Sequence, residues 1–285
     1  MSPADAKNEN LLFDSSGWLV PQSGYRVFSS KPSSYYKFPE SNSNSLDRIS
    51  SLYTWGKVSS PIDVSTPLTQ LYERILEDSV LGGICNGIAY PFYLPGHDFE
   101  ALSLGDAVSD VILPRLKMEF EGLFPGSHFD VKSQGEVAIK DCISPYPGSG
   151  QDELMSCLER GEGIFGWTFP GALMGYSIRS QRAAFDELNT KSRLARSHLA
   201  LTGPIDMGAA LLSSPSMLID PNHYSPVICL SGVQHQDARY CMTFKAYGPH
   251  LEFWIMPNQL MPGVEQVSEQ WTGAITFFST IASFK

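Results

Sequence analysis

The clearest periodic stretch runs from Pro61 to Leu81. Leu68, Leu71, Ile75 and Leu76 recur at three- and four-residue spacing. Thr66 stands where an N-cap belongs, Pro67 takes the first helical position, and Gly82-Gly83 ends the pattern. A second apolar stripe follows Gly105-Asp106: Val108, Val111, Ile112, Leu116, Phe120 and Leu123. It predicts a helix ended by Pro125-Gly126, with Pro114 kinking it or dividing it in two. A third helix is predicted over Arg179 to His198, and one or two helical turns over the acidic stretch Gly148 to Arg160.

Between and after these helices the pattern is that of short strands. Ile84 to Leu94 reads as a strand, Pro95 to Asp98 as a turn, and Phe99 to Leu104 as a second strand. His128 to Ile139 alternates around Gln134-Gly135, which predicts a hairpin. Glu162 to Ile178 predicts paired strands around Pro170-Gly171. Further strands are predicted over Met217 to Ile219, Pro226 to Val233, Arg239 to Tyr247 and Leu251 to Met256, with a last apolar segment from Trp271 to Phe284. No internal repeat occurs. About ten short strands with two or three helices predict an α+β fold, a mixed β-barrel rather than a doubly wound sheet.

The N-terminal part differs. From Leu11 to Phe38 aromatics alternate with Gly, Ser and Pro, which predicts an ordered but irregular arm. Glu40 to Asp47 is a low-complexity polar linker or mobile loop. The domain reading is therefore an arm and linker over 1–60 and a barrel domain over 61–285.

Composition narrows the function. At 42% hydrophobic over 285 residues the chain can bury a large core, so bulk disorder is excluded. Twenty Lys and Arg against thirty Asp and Glu give a net charge of −10, which argues against nucleic acid as a partner. Small anions stay open, because a local arginine pocket can outweigh the global field. Five cysteines, with no C-x-x-C pair, argue against a disulfide framework and a thiolate zinc site. The six histidines are scattered, and no metal site is expected. The first ten residues carry no apolar segment behind a basic start, and the longest apolar runs are too short to span a bilayer. The expectation is a cytosolic, reduced protein with no membrane partner.

Nucleotide-binding glycine motifs are absent, as are H-E-x-x-H and G-x-S-x-G. Two constellations remain. Gly82-Gly83-Ile84-Cys85-Asn86-Gly87 has the form of a loop presenting a thiol, and His223 opens an apolar strand, with Asp237 or Asn222 to orient it. These would make a Cys–His hydrolase or transferase, provided the thiolate is stabilised. The residues after Cys85 make a poor helix, so a buried structural thiol is the alternative.

The second constellation suits small amino and keto acids. Such a site wants a carboxylate base, an aromatic wall and a cation for the acid group. Glu136 follows Gly135 on the predicted hairpin, and Glu162 precedes the strand bearing Trp167. Tyr176 and Arg179 follow Pro170-Gly171. The plain alternative makes Glu136 and Glu162 exposed turn carboxylates and Trp167 and Tyr176 core residues. A third reading is non-catalytic: Phe253 to Met261 (FWIMPNQLM) is either a partner-binding face or a core strand with its loop.

Over residues 84–180 the chain resembles the bacterial cyclophilin-like barrel family. The resemblance rests on Phe99 to Leu104, the Pro114 helix, Ser133-Gln134-Gly135-Glu136, Gly161-Glu162 before Trp167, and Pro170-Gly171-Ala172-Leu173. Gln134 interrupts the family's spacing before Glu136. The length and N-terminal arm are similar to those of opine-forming enzymes of the cucumopine synthase type. That resemblance implies condensation of a histidine-like amino acid with a 2-oxoglutarate-like keto acid, through an iminium and a Pictet–Spengler cyclisation, with no cofactor. It implies Glu136 as base, His223 or Tyr176 as second proton carrier, and Arg179 and Arg182 as carboxylate clamps, with Trp167 and Glu162 also at the substrate. For Arg182 a solvated helix face is the alternative. A second copy of the chain is left open as a partner.

Overall fold

The protein is seen in a computed structural model that describes residues 12–40, 45–54, 63–133, 138–192, 199–219, 224–261 and 263–284. The fold is α+β. Four strands form an antiparallel sheet in the order β1 (Tyr90–Leu94), β4 (Ile164–Phe169), β13 (Ile275–Thr280), β5 (Leu199–Leu201). Five form a mixed sheet in the order β12 (Trp271–Gly273), β6 (Val227–Cys229), β8 (Tyr240–Tyr247), β9 (His250–Pro257), β2 (Phe129–Lys132). There β12 runs parallel to β6 and β2 parallel to β9. Only Ala274 separates β12 from β13, so one nearly continuous segment passes from the second sheet into the first. Two small ribbons pair β3 (Ile143–Pro145) with β7 (Val233–His235), and β10 (Gln259–Met261) with β11 (Val264–Glu265).

The helices are α1 (Ser45–Thr54), α2 (Ser65–Glu77), α3 (Leu104–Asp106), α4 (Leu113–Leu123), α5 (Ile139–Cys142), α6 (Gln151–Glu159), α7 (Ile178–Lys191) and α8 (Pro204–Ser213). Helix α2 buries Leu68, Leu71 and Ile75, as its spacing predicts. Helices α3 and α4 join through a π-helical stretch, Ala107–Ile112, to make one rod. Pro114 therefore does not split the helix: the wider π turn just before it accommodates the missing N–H and the ring.

The helix with most influence on the core is one the periodic pattern does not predict. All ten residues of α8 are buried. It packs between β1 and the 104–123 rod. Because apolar neighbours surround it, it has no polar face and no amphipathic signature. Gly208 is needed for this approach, since a Cβ there would lie 2.3 Å from the Ile112 side chain. Gly150 is fixed similarly at the start of α6. Its φ of +80° is left-handed, and a Cβ would meet the Leu199 carbonyl oxygen at 2.3 Å.

Several predicted strands take other forms. Residues 82–86 are a 3₁₀ turn, and the strand starts at Tyr90. Phe99 to Leu102 is turn, leading into α3. Strand β2 pairs in parallel with β9 instead of folding back into a hairpin, and Ile139 opens a short helix. After β4 the chain turns through Pro170–Tyr176 without a second strand, and β4 pairs with β1 and β13. Pro215–Leu218 is 3₁₀. These strands read plausibly because apolar residues close together in sequence serve long-range packing as well as local pairing.

The arm belongs to the main core. Phe13, Trp18 and Leu19 are buried within the same hydrophobic cluster as the sheets. The Trp18 indole N–H donates to the Met174 carbonyl at 2.9 Å. Residues 26–28 hydrogen-bond along 175–177, tying the arm to the start of α7.

Candidate functional site

Helix α7 carries one side of a polar cavity. Ser177 is its N-cap, accepting from the Ser180 amide at 3.3 Å, and Ile178, Ala184, Phe185 and Leu188 face the core. That burial turns Arg179, Arg182, Ala183 and Asp186 to one stripe of the opposite side. They line a cavity of about 400 Å³, completed by Tyr146, Ala238, Asn258, Gln259 and Glu265. The predicted arginine pair thus shares one site.

Arg182 is the most constrained group there. Its Nε donates to the Ser231 carbonyl at 3.0 Å and one Nη to the Val233 carbonyl at 2.9 Å. Its guanidinium lies 3.8 Å from the centroid of the Tyr146 ring. These partners are neutral, and burial lowers the Arg182 pKa by disfavouring its charge. Arg182 makes no ion pair among the described residues. The remaining Nη protons have no hydrogen-bond partner among the described residues. Arg179 is exposed beside it. Glu265 is half-buried and accepts from the Ser177 hydroxyl at 2.8 Å through one carboxylate oxygen.

The other predicted site residues lie elsewhere. Tyr176 is fully buried, and its hydroxyl donates to the Leu19 carbonyl at 2.6 Å. Burial drives its pKa far above the usual phenol range, so it is a fastener of the arm and a poor proton carrier. Trp167 leans on α2: its indole N–H donates to the Leu68 carbonyl at 2.8 Å, and its ring meets Tyr72 edge to face at 5.1 Å. Glu162 pairs with Arg160 at 2.8 Å, which lowers its pKa. None of these three lines the Arg182 cavity. Glu136 and His223 lie outside the described residues.

Cys85 sits half-buried in the 3₁₀ turn, with its pKa pushed up to about 11 by burial. No described cation stabilises its thiolate, so the nucleophile reading has no support from its surroundings. Among the described residues no group of His, Cys, Asp and Glu is arranged to hold a metal ion. No described helix is long and apolar enough to cross a membrane. In Phe253 to Met261, Phe253 and Ile255 are core residues and Met261 is exposed.

A second cavity, about 520 Å³, lies between α1 and the end of α8. Its Arg48 is already engaged, by the Leu212 carbonyl at 2.7 Å and Glu119 at 3.0 Å. Sequence reasoning missed Tyr146, Asn258 and Glu265, which come from separate loops and a ribbon far apart in the chain. Comparison with known protein families, curated proteins and solved structures finds no match.

Proposed function

We propose that the α7 cavity binds a small carboxylic acid and serves a cofactor-independent condensation of an amino acid with a 2-keto acid. The observation that carries the reading is Arg182: a guanidinium drawn into the wall, braced by two carbonyls and an aromatic ring, with no ion pair to a carboxylate among the described residues. A planar cation so prepared matches a ligand carboxylate, which can take two parallel N–H bonds. Arg179 supplies a second cation at the rim for an acid with two carboxylates.

In the condensation, the amine adds to the ketone, water leaves, and an iminium forms. A nucleophilic carbon of the amino acid side chain closes onto it, and a base removes the displaced ring proton. Glu136 is the proposed base, with His223 as the second proton carrier. The cyclophilin-like barrel arrangement, with its two sheets sharing the bent 271–280 segment, and the cytosolic setting belong to the same proposal.

Purified protein incubated with histidine and 2-oxoglutarate, without NAD(P)H, is expected to yield a product whose mass is their sum less one water. Arg182→Met should lose at least about tenfold in affinity for the acids. No product, together with no binding of either acid at millimolar concentration, would overturn the reading. The Cys85–His223 alternative predicts fast, selective alkylation of Cys85 by iodoacetamide at neutral pH, and its raised pKa predicts the opposite.

A further inference from the structure

Arg182 and Glu265 both line the cavity, and the Glu265 charge acts on Arg182, yet among the described residues they make no ion pair with one another. Each is held instead by neutral partners. Arg182 is held by the Ser231 and Val233 carbonyls and the Tyr146 ring. Glu265 is held by the Ser177 hydroxyl, through one oxygen only. Here the α7 N-cap anchors the carboxylate and the β7 region anchors the guanidinium, so the gap between them is built in. Arg179 and Asp186 add one charge of each sign. The cavity is therefore bipolar and formally neutral, which suits a ligand carrying both charges.

We propose that the occupant is a zwitterionic amino acid that bridges the gap, its carboxylate on Arg182 and its ammonium on the free oxygen of Glu265. This rests on the acid-recognition reading above and adds a specificity-determining residue, Glu265, that selects the amino acid over acids lacking the amine. The ligand's ammonium gains a charge-assisted hydrogen bond, and a keto or desamino acid leaves the carboxylate without a cation.

The test is calorimetric titration of the full chain with three probes: histidine, imidazolepropionate (no amine) and histamine (no carboxylate). The wild type should bind histidine at least about tenfold more tightly than either analogue. Glu265→Gln keeps an acceptor for Ser177. It should lower histidine affinity to the level of imidazolepropionate and leave imidazolepropionate unchanged. Arg182→Met should weaken both acids and spare histamine. Asp152→Asn, an exposed α6 residue outside the cavity, should change histidine binding by less than about threefold, and matched thermal melts check that each variant folds. If imidazolepropionate binds as tightly as histidine, or Glu265→Gln leaves histidine unaffected, the zwitterion assignment fails while acid recognition stands. If neither acid binds the wild type, both readings fail.

Discussion

Asp206 and Arg182 are both charged side chains drawn away from water, and their surroundings differ in how far they are satisfied. Asp206, in the first turn of α8, is completely buried. One oxygen accepts from the Gly203 amide at 2.9 Å and the Gln151 side-chain amide at 3.2 Å, and the other from the Thr276 hydroxyl at 2.5 Å. Thr276 in turn contacts the hydroxyls of Thr202 at 2.6 Å and Thr168 at 3.0 Å. The network joins α6, α8 and the first sheet, and none of its residues lines either cavity described above. Arg182 has partners for only some of its donors, and a cavity beside it. A carboxylate bonded through both oxygens inside the core contributes to specifying the fold, whereas a cation with unspent donors beside a cavity is a candidate for ligand binding.

The sharpest way to break this contrast is Asp206→Ala. It strands the Gly203 amide, the Gln151 amide and the Thr276 hydroxyl in the core, and should cost about 3 kcal/mol or more in denaturant unfolding. A loss under about 1 kcal/mol would mean that water replaces the carboxylate.

Next comes pH. Burial raises the Asp206 pKa from 3.8 to about 6 in the folded state. The folded state thus holds the proton more tightly than the unfolded chain. The stability this brings is present below pH 3.8 and is lost as pH rises through about 6. Relative to Asp206→Asn, the wild type should lose on the order of 3 kcal/mol between about pH 4 and pH 7, read from parallel urea titrations. Equal slopes for the two proteins would show that Asp206 does not titrate in this range.

Tyr176→Phe removes the bond to the Leu19 carbonyl and should cost about 1 kcal/mol, seen as a lower Tm with acid binding unchanged. Arg182→Met should cost about 1 kcal/mol or less, since its methylene stem is kept in shape and only two neutral carbonyls lose a donor. The same variant should lose affinity for acids. If stability falls far more than binding, Arg182 is structural. Smallest of all, Glu162→Gln removes one partly exposed ion pair and should shift stability by less than about 0.5 kcal/mol, with no change in acid binding.

How much was readable in advance varied by element. Helix α2 was legible because one face meets the core and the other meets water. Strands β8 and β9 fall where strands are predicted, over Arg239 to Tyr247 and Leu251 to Met256. Helix α8 was not, since a helix buried all round carries no period. The Phe99 segment was misread as strand because its apolar residues serve contacts distant in the chain. At the site, Arg179 and Arg182 were readable as a pair on one helix. Tyr176 and Trp167 were singled out for chemistry, but their polar atoms are tied to backbone carbonyls. Nothing local announces that Tyr146, Asn258 and Glu265 meet the two arginines, because no short-range pattern records contacts across more than 30 residues.

The sequence alone determined the α+β class, the inward face of α2 and the placing of Arg179 and Arg182 on one helix, because periodicity and spacing act over a few residues. Tertiary structure decided which polar groups are spent and which remain available. That depends on whether carbonyls, hydroxyls and rings brought from distant segments reach a given charge first, and only the packed core sets those distances.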